Sequence, residues 1–157
     1  MDKSRRILIF VLTLTGLAAT PLGWANMGAD DDSAADNPAL ADARKAIEAE
    51  DWPRAIGLLN SAAESGAPNA DVQNFLGYAY RKSGNLDAAL RHYKKALDLN
   101  PQHKHAHEYI GEAYLIAGDL AQAEKHLAQL QKLCTPIPCE EVRELKRAID
   151  EFKKSGR

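Results

Sequence analysis

The sequence predicts an all-α solenoid, three stacked helix hairpins followed by one capping helix. Three observations predict it. Gly77-Tyr78-Ala79-Tyr80, Gly84-Asn85-Leu86 and Ala89 recur 34 residues later as Gly111-Glu112-Ala113-Tyr114, Gly118-Asp119-Leu120 and Ala123, and a fixed period of that length is the mark of a helix–turn–helix repeat. Within a unit the apolar residues follow helical spacing, most clearly Leu86, Ala89, Leu90, Tyr93, Ala96 and Leu97. Helix breakers such as Gly84-Asn85 and Asn100-Pro101 punctuate the stripes. Such a unit hides its apolar face only by stacking on its neighbours, so the expected product is a surface rather than an enclosed pocket.

The chain opens on a different kind of sequence. Lys3, Arg5 and Arg6 precede an apolar run from Ile7 to Ala19, and Gly23-Trp24-Ala25 offers small residues at the cleavage positions of an export signal. A membrane span needs about 20 apolar residues, more than this run supplies. Residues 1–25 are therefore expected to be a cleaved signal peptide and the mature chain periplasmic, with an uncleaved anchor as the other reading. Cleavage would remove Lys3, Arg5 and Arg6 with Asp2 and leave a mildly acidic chain with no stable membrane anchor. Residues 26–35 carry Asp30, Asp31 and Asp32 among small residues and read as a flexible acidic leader. Consecutive Asp residues lack the alternating spacing of a calcium loop.

Three units follow, at 36–69, 70–103 and 104–137, with 138–157 as capping helix and tail. In the first, Asp51-Trp52-Pro53 marks a helix start, but Ala43 stands where the later units have Gly77 and Gly111. In the second, Gly84 suits the left-handed turn between helices and Asn85 suits an N-cap. The third repeats this with Gly118-Asp119 and an apolar stripe of Leu120, Ala123, Leu127 and Leu130. Beyond it, Val142, Leu145, Ile149 and Phe152 make one more stripe, with Lys146–Asp150 and Arg147–Glu151 as expected i,i+4 pairs on its polar side. Without the turn and packing signals, that helix reads as a cap.

Leu76-Gly77, Tyr80, Gly84, Ala89, Ala96 and Pro101 together resemble the tetratricopeptide repeat over roughly Asp36 to Leu133. The resemblance implies a right-handed α-solenoid whose first helices line a concave surface that holds a peptide or partner helix. Taken in phase, that surface is expected to comprise Leu40, Arg44 and Ile47, then Asp71, Asn74, Tyr78 and Arg81, then His105, Glu108, Glu112 and Leu115. Chaperone-binding members clamp a C-terminal carboxylate with Lys and Asn. Leu40, Phe75, His105 and Tyr109 stand at four of those positions, so no such clamp is expected. The Leu133-Cys134…Cys139-Glu140-Glu141 segment resembles the C-terminal end of small exported repeat proteins of Gram-negative bacteria.

Two clusters bear on chemistry. In an exported chain, Cys134 and Cys139 are expected to pair as a structural disulfide. A redox role is disfavoured because Glu140 and Glu141 oppose a thiolate at the helix start. His103, His105 and His107 alternate into the third unit, and 103 and 107 fall on one helical face. Two imidazoles make an incomplete metal site, so they read as polar helix-start residues and no metal is expected. The formal charge of −2 and the lack of a basic stripe exclude nucleic acid as an expected partner. No phosphate loop or nucleophile–base arrangement can be assembled, so neither an enzyme nor a cofactor is expected. The expected function is a non-enzymatic interaction scaffold of the cell envelope, binding an unidentified envelope protein or peptide. The alternatives are metal handling by His103, His105 and His107, and thiol–disulfide exchange.

Overall fold

The structure, a computed structural model, describes residues 38–156. The expected signal, the acidic leader and the first residues of the first unit lie outside the described residues. The described residues form seven helices and no strand: α1 (Pro38–Glu48), α2 (Trp52–Ser65), α3 (Ala70–Lys82), α4 (Leu86–Leu99), α5 (Lys104–Ile116), α6 (Leu120–Leu133) and α7 (Glu140–Lys154). Among the described residues no helix is long and apolar enough to cross a membrane.

Each hairpin is set by the same local chemistry. The side chains of Asp51, Asn69, Asn85, His103 and Asp119 accept the backbone N–H three residues on, at 3.1–3.3 Å, and so start α2 to α6. At the α3–α4 turn, the N–H of Asn85 donates to the carbonyl of Tyr80 and that of Gly84 to Arg81. Asp119 and Gly118 repeat this onto Tyr114 and Leu115, and Asp51 and Glu50 onto Ala46 and Ile47. The turn needs one left-handed residue: Gly84 has φ 87° and Gly118 φ 80°, but the first hairpin places Glu50 there at φ 54°.

The core is a succession of clusters along the stack. Leu40, Ile47, Leu59, Phe75 and Leu76 join α1, α2 and α3. Ala89, Tyr93, Ile110 and Ala113 join α4 to α5. Leu115, Leu130, Val142, Leu145 and Ile149 join α5, α6 and α7. Gly77 lets α3 approach α4: a Cβ there would lie 2.5 Å from the Tyr93 ring. At Gly111 it would lie 2.7 Å from Leu145 of α7 instead.

The Cys134 and Cys139 sulfurs are bonded (2.08 Å), linking the C-cap of α6 to the N-cap of α7. Phe152 packs against the cluster that α7 shares with α5 and α6, and Lys153 pairs with Glu124 of α6 at 2.6 Å. Lys146 pairs with Asp150 as expected. Arg147 does not pair with Glu151; it turns back one helical turn to Glu144.

Candidate functional site

The first helices of the second and third hairpins run side by side, and α7 lies against α5 on the far side. Between them is a cavity of about 380 Å³. Tyr78, Arg81 and Lys82 of α3 form one wall, His105, Glu108, Tyr109 and Glu112 of α5 the floor, and Glu140, Glu141, Glu144 and Arg147 of α7 the other wall. A second hollow of about 360 Å³ shares Arg81 and Glu112 and continues along Leu115, Ile116, Ala148, Glu151 and Phe152. The two make one groove, charged and aromatic at one end and largely apolar at the other. Ile116 is 62 % exposed at the apolar end.

Arg81 organises the middle of the groove. Its guanidinium pairs with Glu112 at 2.9 Å, and its Nε donates to the Tyr93 hydroxyl at 3.3 Å. It also lies 5.4 Å from the Tyr78 ring centre and 5.6 Å from that of Tyr109. Burial works against its charge, but Tyr93 and Glu112 outweigh burial and hold its pKa above the usual value. The Tyr78 and Tyr109 rings stand 5.4 Å apart, and His105 stacks on Tyr109 at 5.9 Å. Burial pushes both phenols upward, so they stay neutral at physiological pH. His105 Nδ1 is 3.6 Å from both Glu108 and Glu141. Burial raises the Glu108 pKa; the hydrogen bond from His105 opposes this, while nearby Glu112 and Glu141 add to it. No serine, threonine or cysteine lines the first cavity. The arrangement is suited to recognition by charge, ring faces and apolar contact.

Of the residues expected on the concave surface, Tyr78, Arg81, His105, Glu108 and Glu112 meet in the first cavity, and Leu115 lines its continuation. The first unit does not join them. Leu40 and Ile47 are 0 % and 1 % exposed within the α1–α3 cluster, so they are core residues. Arg44 lies over the Phe75 ring at 5.3 Å. Asn74, in phase with Leu40 and Glu108, is likewise buried. That repeat position lies at the seam between neighbouring helices, and exposure there depends on whether the next helix leaves a gap. Asp71 is spent on His103, whose Nε2 lies 3.1 Å from its carboxylate. The α7 wall was not expected, and Tyr109 was placed only at a clamp position and not among the surface residues. Tyr109 is one period from Phe75 and was legible; the acidic start of α7 gave no sign of facing the groove.

The histidines do not converge. His103 caps α5 and bonds Asp71, and His105 faces the groove between Glu108 and Glu141. His107 bonds the Pro101 carbonyl through Nε2 (3.0 Å) and His126 through Nδ1 (2.9 Å). Two ring nitrogens that close share one proton. Burial lowers the His107 pKa, and burial with the neighbouring His107 pushes His126 down to about 4. Among the described residues, the three potential metal ligands that come together are Cys134, Cys139 and Glu141, and the disulfide leaves no thiolate to bind with.

A family model described as tetratricopeptide repeat matches residues 40–102 and again 76–135. The probable biofilm formation methyltransferase WspC of Pseudomonas putida is 40 % identical over 58 residues, which cover 37 % of this chain and only 14 % of that protein. Among solved structures, the Yersinia enterocolitica type III secretion chaperone SycD in complex with a peptide of the translocator YopD superposes with a TM-score of 0.66. Its identity is 18 %, over 74 % of this chain and 91 % of that one. The second repeat domain of human RPAP3, in complex with an HSP70 peptide, gives 0.64 at 16 % identity, over 73 % and 92 % of the two chains. At these identities the likeness shows the fold.

Proposed function

The chain belongs to the tetratricopeptide repeat family, and from that premise we propose that it is a non-enzymatic scaffold of the bacterial periplasm that binds a segment of a partner protein in its concave groove. The observation that carries this reading is the groove across α3, α5 and α7, built from a charged aromatic end and an apolar end that meet at Arg81 and Glu112. Tyrosine and arginine are the residue types that most often anchor protein interfaces, because they bury large area with few rotamers to fix. The SycD and RPAP3 structures each hold a peptide on the same fold. The basic start, apolar run and small-residue cleavage positions of residues 1–25 support export.

A photoreactive side chain placed at Lys82, on the groove wall, tests the reading against the same probe at Lys94 of α4, an exposed position that does not line the groove. Irradiation of cells making the full chain should yield a discrete adduct from Lys82 only. The same adducts from both positions would remove the groove from the account. Recovery of the chain with a cytoplasmic marker on fractionation would overturn the export component alone.

A further inference from the structure

We infer that the groove takes a protein segment carrying a lysine or arginine close to an apolar side chain, the cation entering between α5 and α7 and the apolar group resting on Ile116 and Phe152. This deepens the reading of the groove as a binding surface and rests on it. Arg81 is matched by Glu112 at 2.9 Å, and Arg147 by Glu144. Besides those pairs the first cavity is lined by Lys82, by Glu108, Glu140 and Glu141, and by His105, whose Nδ1 lies 3.6 Å from both Glu108 and Glu141. Lys82 is exposed on the α3 wall, whereas Glu108 of the floor and Glu141 of the α7 wall are buried. Five carboxylates thus line the cavity with Arg81, Lys82 and Arg147, and Glu108 and Glu141 lie deeper than Lys82. An incoming cation would find carboxylates on two helices; an incoming anion would face them.

The geometry adds selectivity to the sign. Floor and wall are aromatic, and the chain's own cations sit over their rings: Arg81 over Tyr78 and Tyr109, and Lys82 over Tyr78 at 5.9 Å. Ring faces of this kind attract a guanidinium or ammonium group. Past Arg81 and Glu112 the lining is mostly apolar, Leu115, Ile116, Ala148 and Phe152 beside Glu151 and Ser155. Removing such a surface from water favours an apolar side chain there. A segment with both features engages both hollows, and one with either alone engages half of the groove.

Peptide display tests this whichever protein the partner is. A random twelve-residue library is selected on the full chain and, in parallel, on two variants altered at accessible positions, E140K with E144K, and Ile116→Asp. Circular dichroism confirms that each variant keeps its helices. Peptides that depend on the groove should be enriched in Lys or Arg within a few residues of Leu, Ile, Phe or Met. Replacing that cation by Ala should weaken binding about tenfold, and raising the salt should weaken it further. The charge-reversed variant should instead select acidic peptides. Groove-dependent peptides without cation enrichment would overturn this inference and leave the groove reading standing. Identical peptides on all three baits, or no enrichment at all, would overturn both.

Discussion

The second and third hairpins share a sequence period but are completed by different neighbours. Gly77 and Gly111 are one period apart. The space above Gly77 is filled by Tyr93 from its own hairpin, and the space above Gly111 by Leu145 from α7. Likewise His92 meets Gln73 at 2.9 Å, and one period on His126 meets His107 at the same distance. Both histidines stack on a tyrosine, Tyr80 and Tyr114 respectively. Equal sequence phase therefore yields equal backbone and caps, while the partner of each packed position is chosen by the local neighbour. The second hairpin closes on itself. The third depends on α7 and on the disulfide that holds it.

The sharpest way to break this contrast is to add one methyl group at each glycine. Gly77→Ala drives a Cβ to 2.5 Å from a rigid ring that is fully buried and bonded to Arg81. Overpacking against a ring that cannot move costs about 3 kcal/mol, and the helix propensity of Ala returns about 1. A net loss of about 2 kcal/mol is expected in denaturant melts. Gly111→Ala meets both methyl groups of Leu145, which is equally buried but is carried by the terminal helix, so a small shift of α7 relieves the contact. It should cost less than about 1 kcal/mol, with faster amide exchange in α7. Equal losses at the two sites would mean that α7 holds the third hairpin as firmly as Tyr93 holds the second.

Reduction of Cys134–Cys139 is the next test. A loop this short restrains the unfolded chain by about 2 kcal/mol. Because α7 is terminal, the loss should appear there first. Hydrogen exchange should rise over Leu145–Phe152 and stay unchanged over Leu76–Tyr80. A matching rise in both segments would show that the bond supports the entire stack.

Acid should distinguish the hairpins by a smaller amount. His126 titrates near 4 when folded, against 6.5 for an ordinary histidine. The unfolded chain therefore takes up this proton first. The contribution of neutral His126 is complete above about pH 6.5 and is lost as the pH falls towards 4. Solvent still reaches the ring, so the loss is about 1 kcal/mol. Glu108, raised by burial, works in the opposite sense. Melting temperatures from pH 7 to pH 4 should fall less steeply in His126→Gln than in the native chain, and His92→Gln should change the slope less. An unchanged slope in His126→Gln would locate the acid sensitivity elsewhere.

The smallest effect concerns the first hairpin, whose turn matches the other two in hydrogen bonding but not in residue. Glu50 occupies the left-handed position that Gly84 and Gly118 hold. Glu50→Gly removes a cost of about 1 kcal/mol and adds some freedom to the unfolded chain. A gain of about 0.5 kcal/mol is expected, and a loss would mean that the Glu50 side chain contributes to the fold.

Part of the groove could be read from the period alone. Tyr78, Arg81, His105, Glu108 and Glu112 are one stripe on successive first helices, and helical spacing places them together. Leu40 and Ile47 follow the same phase and yet are core. Phase gives direction around a helix axis, and burial depends on what lies in that direction. Glu140, Glu141, Glu144 and Arg147 were invisible for a related reason. The loop from Leu133 to Glu140 is longer than the one from Leu99 to Lys104, so α7 departs from the 34-residue register that would have placed its face.

The amino-acid sequence by itself determined the helices, their caps and turns, and the hairpin repeat, because each depends on residues within about one turn of one another. The tertiary structure alone decided which side of α7 meets α5, which partner fills the space at each glycine, and that a cap also serves as a groove wall. Those outcomes come from side-chain volumes and charges on helices far apart in the chain, and no local pattern encodes the distance between them.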